Sequence, residues 1–146
     1  MKKILYIIIP VILLLTSCEK NKTVAEKLVG NWHCASVAID AEIYTTFNAD
    51  KTFVLYQQIG EGAYRVYNGT YQLTEGETNY ILTGEYNDGT PWGAEYALVM
   101  SEAAVMTLTA SGITETYTKL SGNIPEKVLK SCVTVVKSAD DAVPFL

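Results

Sequence analysis

The chain predicts an all-β fold: an eight-stranded antiparallel up-and-down barrel, preceded by a short helix and followed by a helix packed on its outside. Three observations predict it. The chain is rich in tyrosine, with 10 among 146 residues, and in Thr, Val and Ile, which favour pleated, half-buried surfaces. Breaks with Gly, Asn, Asp or Pro chemistry recur at near-regular intervals. Between the breaks, apolar residues alternate with polar ones at the period of a strand.

The first segment is not part of that pattern. Lys2 and Lys3 are followed by an apolar run from Ile4 to Leu15, interrupted by Pro10, and then by Thr16-Ser17-Cys18 and polar Glu19-Lys20-Asn21-Lys22. The run is too short to span a bilayer stably, so residues 1–17 read as a signal peptide and 18–22 as a tether. Small residues before Cys18 resemble the bacterial lipobox, in which the cysteine is acylated and becomes the new N-terminus. That resemblance implies a membrane anchor at Cys18, and more than one acyl chain makes such anchoring stable. Glu19 rather than Asp after the cysteine implies the outer membrane of a Gram-negative bacterium. Without an acidic run after Cys18, the periplasmic face is favoured over the cell surface.

The domain proper is read as 23–137, with a tail over 138–146. Thr23 and Glu26 have the spacing of a capping box, and Gly30 sits where a short helix would end. Eight strand segments follow: 31–39, 42–47, 52–59, 63–74, 78–86, 92–100, 104–110 and 113–120. Asn68-Gly69 could form a hairpin turn, but Gly69-Thr70-Tyr71 runs on into alternating Gln72-Leu73, so it is kept within one strand. Alternation places Ile43, Thr45, Phe47, Phe53, Leu55, Tyr71, Leu73, Tyr96, Leu98, Met100, Met106, Leu108 and Tyr117 on the inner face. Closing eight short-looped strands into a barrel removes the exposed edges.

After Ser121-Gly122 the period changes. Pro125 suits a first helical turn, and Val128, Leu129, Cys132, Val133 and Val136 form one stripe. The stripe predicts a helix of about three turns; the β-branched run Val133–Val136 is the competing signal for a ninth strand. Phe145 and Leu146 are available to tuck against the body.

Gly30-Asn31-Trp32 at the head of the first strand, Lys119 on the last, and a helix on either side resemble the lipocalin-like, calycin-type barrels. Phe47-Asn48-Ala49-Asp50-Lys51-Thr52-Phe53 and Gly69-Thr70-Tyr71-Gln72-Leu73 are similar to segments of small lipocalin-like domains in bacterial lipoproteins. The resemblance covers roughly residues 24–137. It implies that Trp32 closes the barrel base with Lys119 lying across it, and that a small apolar ligand could occupy the interior. Tyr71, Tyr96, Met106 and Tyr117 are then the candidate lining.

Catalytic chemistry is sparse. His33 is the single histidine, with no second ligand at metal spacing, and no strained nucleophile turn occurs. The expectation is a non-enzymatic protein without a cofactor or metal. Loss of Lys2 and Lys3 takes the formal charge from −5 to −7, which argues against nucleic acid. Cys34 and Cys132 either form a bridge, stabilising by about 3–5 kcal/mol, or remain two separately buried thiols. The alternative function is contact with an envelope protein. In one version it inhibits a lysozyme or protease: Gly60-Glu61-Gly62-Ala63-Tyr64 faintly resembles the inhibitory loop of lysozyme inhibitors, without its serine. The anchoring expectation has a direct test: Cys18→Ser should abolish incorporation of labelled palmitate in a lipoprotein-processing host, and retained label would remove it.

Overall fold

The computed structural model describes residues 22–101, 104–134 and 146. The signal peptide, Cys18 and most of its tether, Val136 and the tail up to Phe145 lie outside the described residues. Thr23 caps the first helix α1 (Val24–Leu28). Its hydroxyl accepts from the Glu26 amide at 3.2 Å, and the Glu26 carboxylate accepts from the Thr23 amide at 2.7 Å. This is the reciprocal box anticipated from the spacing.

Eight strands follow in the expected order: β1 (Gly30–Ser36), β2 (Ala41–Phe47), β3 (Thr52–Ile59), β4 (Tyr64–Glu75), β5 (Tyr80–Tyr86), β6 (Tyr96–Met100), β7 (Val105–Ala110) and β8 (Ile113–Lys119). Each pairs antiparallel with the next, and β8 pairs back on β1, so the sheet closes. The result is a closed all-β barrel, and β4 runs unbroken through Asn68-Gly69. Because the strands alternate in direction, α1 marks one end. The turns after β1, β3, β5 and β7 mark the other.

The inner face is the alternating set. Trp32, Ile43, Phe47, Phe53, Leu55, Tyr71, Leu82, Leu98, Met106, Leu108 and Tyr117 all belong to one buried cluster. A second, smaller cluster lies on the outside, where Ile124 and Val128 cover Tyr44 and Tyr64. Burial of this size is the main favourable term of the fold.

Three boundaries differ from the sequence reading. β1 stops at Ser36, and the segment 37–40 is a turn in which Val37 is 95% exposed and Asp40 has φ +48. Apolar Val37 and Ile39 imitate a strand, yet both lie within the turn that left-handed Asp40 closes. β6 starts at Tyr96, because Trp92 folds back to donate its amide to the Gly84 carbonyl at 2.9 Å.

The third is the C-terminal helix, which is corrected. The second helix α2 spans only Glu126–Lys130, capped rather than entered by Pro125, and β9 (Cys132–Thr134) follows. The Ser131 hydroxyl donates to Lys127 and Val128 carbonyls and stops the helix. β5 leaves β4 at Gly69, so the edge at Tyr64–Val66 is open, and β9 pairs there in parallel. Ladder hydrogen bonds at a free edge outweigh further helical turns for a β-branched segment. Leu129 and Val133 of the predicted stripe are consequently half-exposed.

The seam between β1 and β8 generates the prediction. Lys119 stands opposite Trp32 in the register and donates from Nζ to the Lys27 carbonyl at 2.7 Å. Lys119→Met should lower the unfolding free energy by about 1–2 kcal/mol in urea titrations, whereas Lys119→Arg should recover part of it. Equal stability of Lys119→Met and the parent chain would contradict the role.

Candidate functional site

The end of the barrel at α1 is shut. The Trp32 indole N–H donates to the Leu28 carbonyl at 2.8 Å, and Lys119 Nζ lies 5.2 Å from the Trp32 ring centre. Between them they satisfy carbonyls that the short α1 leaves open at its C-terminus. Gly30 makes room for this: its φ is +137, and a Cβ there would sit 2.6 Å from Cε of Lys119.

The four candidate lining residues, Tyr71, Tyr96, Met106 and Tyr117, all belong to the buried cluster of the interior. Tyr71 donates its hydroxyl to the Asn48 carbonyl at 2.8 Å, and its ring meets Phe47 edge-on at 5.0 Å. Lys51 Nζ lies 5.3 Å from that ring, so Tyr71 helps seal the α1 end. Met106 and Tyr117 face each other across β7 and β8, both wholly buried. Tyr96, which is also near Tyr117, packs against Trp92 at 6.1 Å. A cleft of about 320 Å³ lies between the β4–β5 turn at Glu75–Asn79 and the end of β6, beside Val24. Its lining joins those turn residues to Tyr80, Leu98, Val99 and Met100.

The wall from β3 to β6, with the β5–β6 loop, is more informative. Phe53, Tyr67, Tyr86, Trp92 and Tyr96 form a connected aromatic set. Phe53 lies 5.0 Å from Trp92 and 5.7 Å from Tyr86; Tyr67 lies 6.0 Å from Tyr86. The Trp92 indole lies flat on Gly84, where a Cβ would come within 2.2 Å of the ring. Trp92 is 6% exposed, and its Nε1 has no hydrogen-bond partner among the described residues. Leu146 is buried in the same core, and the Tyr86 hydroxyl donates to its carbonyl oxygen. Burial pushes the Tyr86 hydroxyl well above the ordinary tyrosine range, so it stays a donor at physiological pH.

Sequence reading missed Trp92, which it placed on a strand. The available signal was Gly84, a residue without a side chain on an inner-face position of β5.

Across the interior, on β1 and β8, the wall is polar. Glu115 is buried, accepting from the Ser36 hydroxyl at 2.5 Å and from the Cys34 thiol at 3.7 Å. Burial, and then the Glu115 carboxylate, push the Cys34 thiol up to about 12. A thiol held protonated in this way is a poor nucleophile. Cys132 lies on the outside and donates to the Val128 carbonyl at 2.9 Å. Both cysteines are free, so of the two alternatives the structure has separate thiols.

His33 points outward. Its Nε2 lies 2.6 Å from Glu42, and its ring stacks on Tyr44 at 4.5 Å. Among the described residues no group of three or more His, Cys, Asp or Glu could hold a metal ion.

No family model matches the chain, and no curated protein matches it. It is similar in structure to a protein from Bacteroides uniformis solved by NMR, with 19% identity and a TM-score of 0.54. The likeness covers 67% of this chain and 93% of that one. At this identity it shows the fold alone, a barrel compatible with the lipocalin-like type.

The Cys34 environment sets an alkaline prediction. The folded chain holds the thiol proton more tightly than the unfolded one, so this stabilisation is complete below pH 9 and is lost as pH rises toward about 12. Unfolding free energy from urea titrations should therefore fall between neutral pH and about pH 10.5, and Cys34→Ala should make that fall smaller. An identical pH dependence in the variant would contradict the assignment.

Proposed function

We propose that the chain is a membrane-anchored, non-enzymatic binding module of the lipocalin-like type, taking a small, partly apolar ligand at the aromatic wall that β3 to β6 and the β5–β6 loop build. The observation that carries this reading is the aromatic set of Phe53, Tyr67, Tyr86, Trp92 and Tyr96, with a buried indole N–H left unpartnered among the described residues. An unpaired buried donor is unfavourable by itself and favours a ligand that brings an acceptor. Opposite it, Glu115 and Ser36 supply polar groups to a ligand's head. The anchor at Cys18 would hold the barrel close to the lipid, since the tether of 19–22 spans at most ~3.5 Å per residue. The setting is the outer membrane, on its periplasmic side.

A second reading has its own support. Val37, Ile39, Ile59 and Ile113 are exposed by 95%, 37%, 44% and 48%, and all belong to the turns or strand ends at the side of the barrel away from α1. Exposed aliphatics clustered this way suit contact with an envelope protein. The Gly60–Gly62 turn stands beside them, and a lysozyme-inhibition assay tests that version directly.

The ligand reading is tested by titrating 1-octanol into the segment 19–146 and following backbone amides by NMR. All buried residues of the described chain lie from Leu28 onward, so this segment retains the whole core. Saturable shifts should concentrate between Gly84 and Tyr96. Shifts scattered over the surface, or none, would sink the proposal.

A further inference from the structure

Leu146 is an unusual member of the core. Every other buried residue of its cluster sits on α1, on a barrel strand, or in the case of Trp92 on a segment hydrogen-bonded to β5. Leu146 follows twelve positions after Thr134, the end of the last described strand, and is nevertheless 1% exposed. The hydrogen bond described for it is the one from Tyr86, itself part of the aromatic set. With Leu146 in place the Tyr86 hydroxyl is satisfied, while the Trp92 indole N–H is not.

We infer that the seat of Leu146 is the aliphatic subsite of the aromatic site, and that Leu146 fills it as an internal competitor. The ligand class is an alkyl chain carrying an acceptor oxygen. Its chain would take the place of the leucine side chain, and its oxygen would accept from Tyr86 or Trp92. This inference rests on the binding reading above and adds its ligand class and its regulation. The energetics are favourable to exchange. A strand residue leaves the core only if ladder bonds break, but Leu146 can leave while the eight barrel strands stay paired. An incoming alkyl chain then recovers the apolar burial that Leu146 gives up. The apparent affinity is lowered by the fraction of molecules whose seat is filled.

The test is the octanol titration repeated on Leu146→Gly in the segment 19–146. The variant should bind about tenfold tighter or more. Equal affinity in parent and variant overturns the internal-competitor inference while leaving the binding reading intact. Absence of binding in both removes the reading itself. Should the variant fail to fold, the unsubstituted segment decides the matter. Its Leu146 methyl resonances should move to the positions of a solvent-exposed leucine as octanol saturates, and methyls that stay put at saturation overturn the inference.

Discussion

The α1 end of the barrel is shut where Lys119 crosses Trp32, beside the closing seam, to reach a carbonyl of α1. The β1–β8 pairing is the seam of the cylinder, and its register sets Lys119 directly opposite Trp32. A lysine aliphatic stem can lie along an indole while its ammonium finds acceptors beyond it. Gly30 leaves the space the stem needs, and the capped helix supplies the acceptors. Four local features of the sequence thus converge on one seam, which both closes the sheet and shuts one end of it.

With that end shut, the inner space divides by side-chain size. Near α1 the alternating residues are large and interlock, as Tyr71 does with Phe47 and the Asn48 carbonyl. Toward the other end polar Ser36 and Glu115 reach inward, and Gly84, the register partner of Tyr71, leaves space on β5. Space freed by Gly84 is taken by an indole that arrives from a loop. The Trp92 indole N–H, unpartnered among the described residues, therefore sits where Gly84 leaves room, and the aromatic wall differs from the packed one by a few side chains rather than by a change of fold.

The same logic explains the C-terminal segment. Periodicity from Val128 to Val136 reads equally as a helical stripe or as β-branched strand. The choice turned on β4, whose twelve residues outrun its neighbour β5 and leave Tyr64–Val66 unpaired on one side. No feature within residues 126–136 announces that vacancy. Similarly, the alternation of Tyr71, Tyr96, Met106 and Tyr117 correctly marks the inner face. It carries no information on whether inward side chains enclose a space or fill it.

By itself, then, the sequence determined the order of the eight barrel strands, the inner face of most of them and the helix cap. These are consequences of local spacing: alternation, turn chemistry and a capping box act between residues close in the chain. Only the tertiary structure decided that Trp92 lies on Gly84, that Cys34 and Cys132 stay apart, that β9 forms, and that Leu146 enters the core. Each of those depends on an edge or a void that exists only after the barrel has closed, and so on distances that no local pattern encodes.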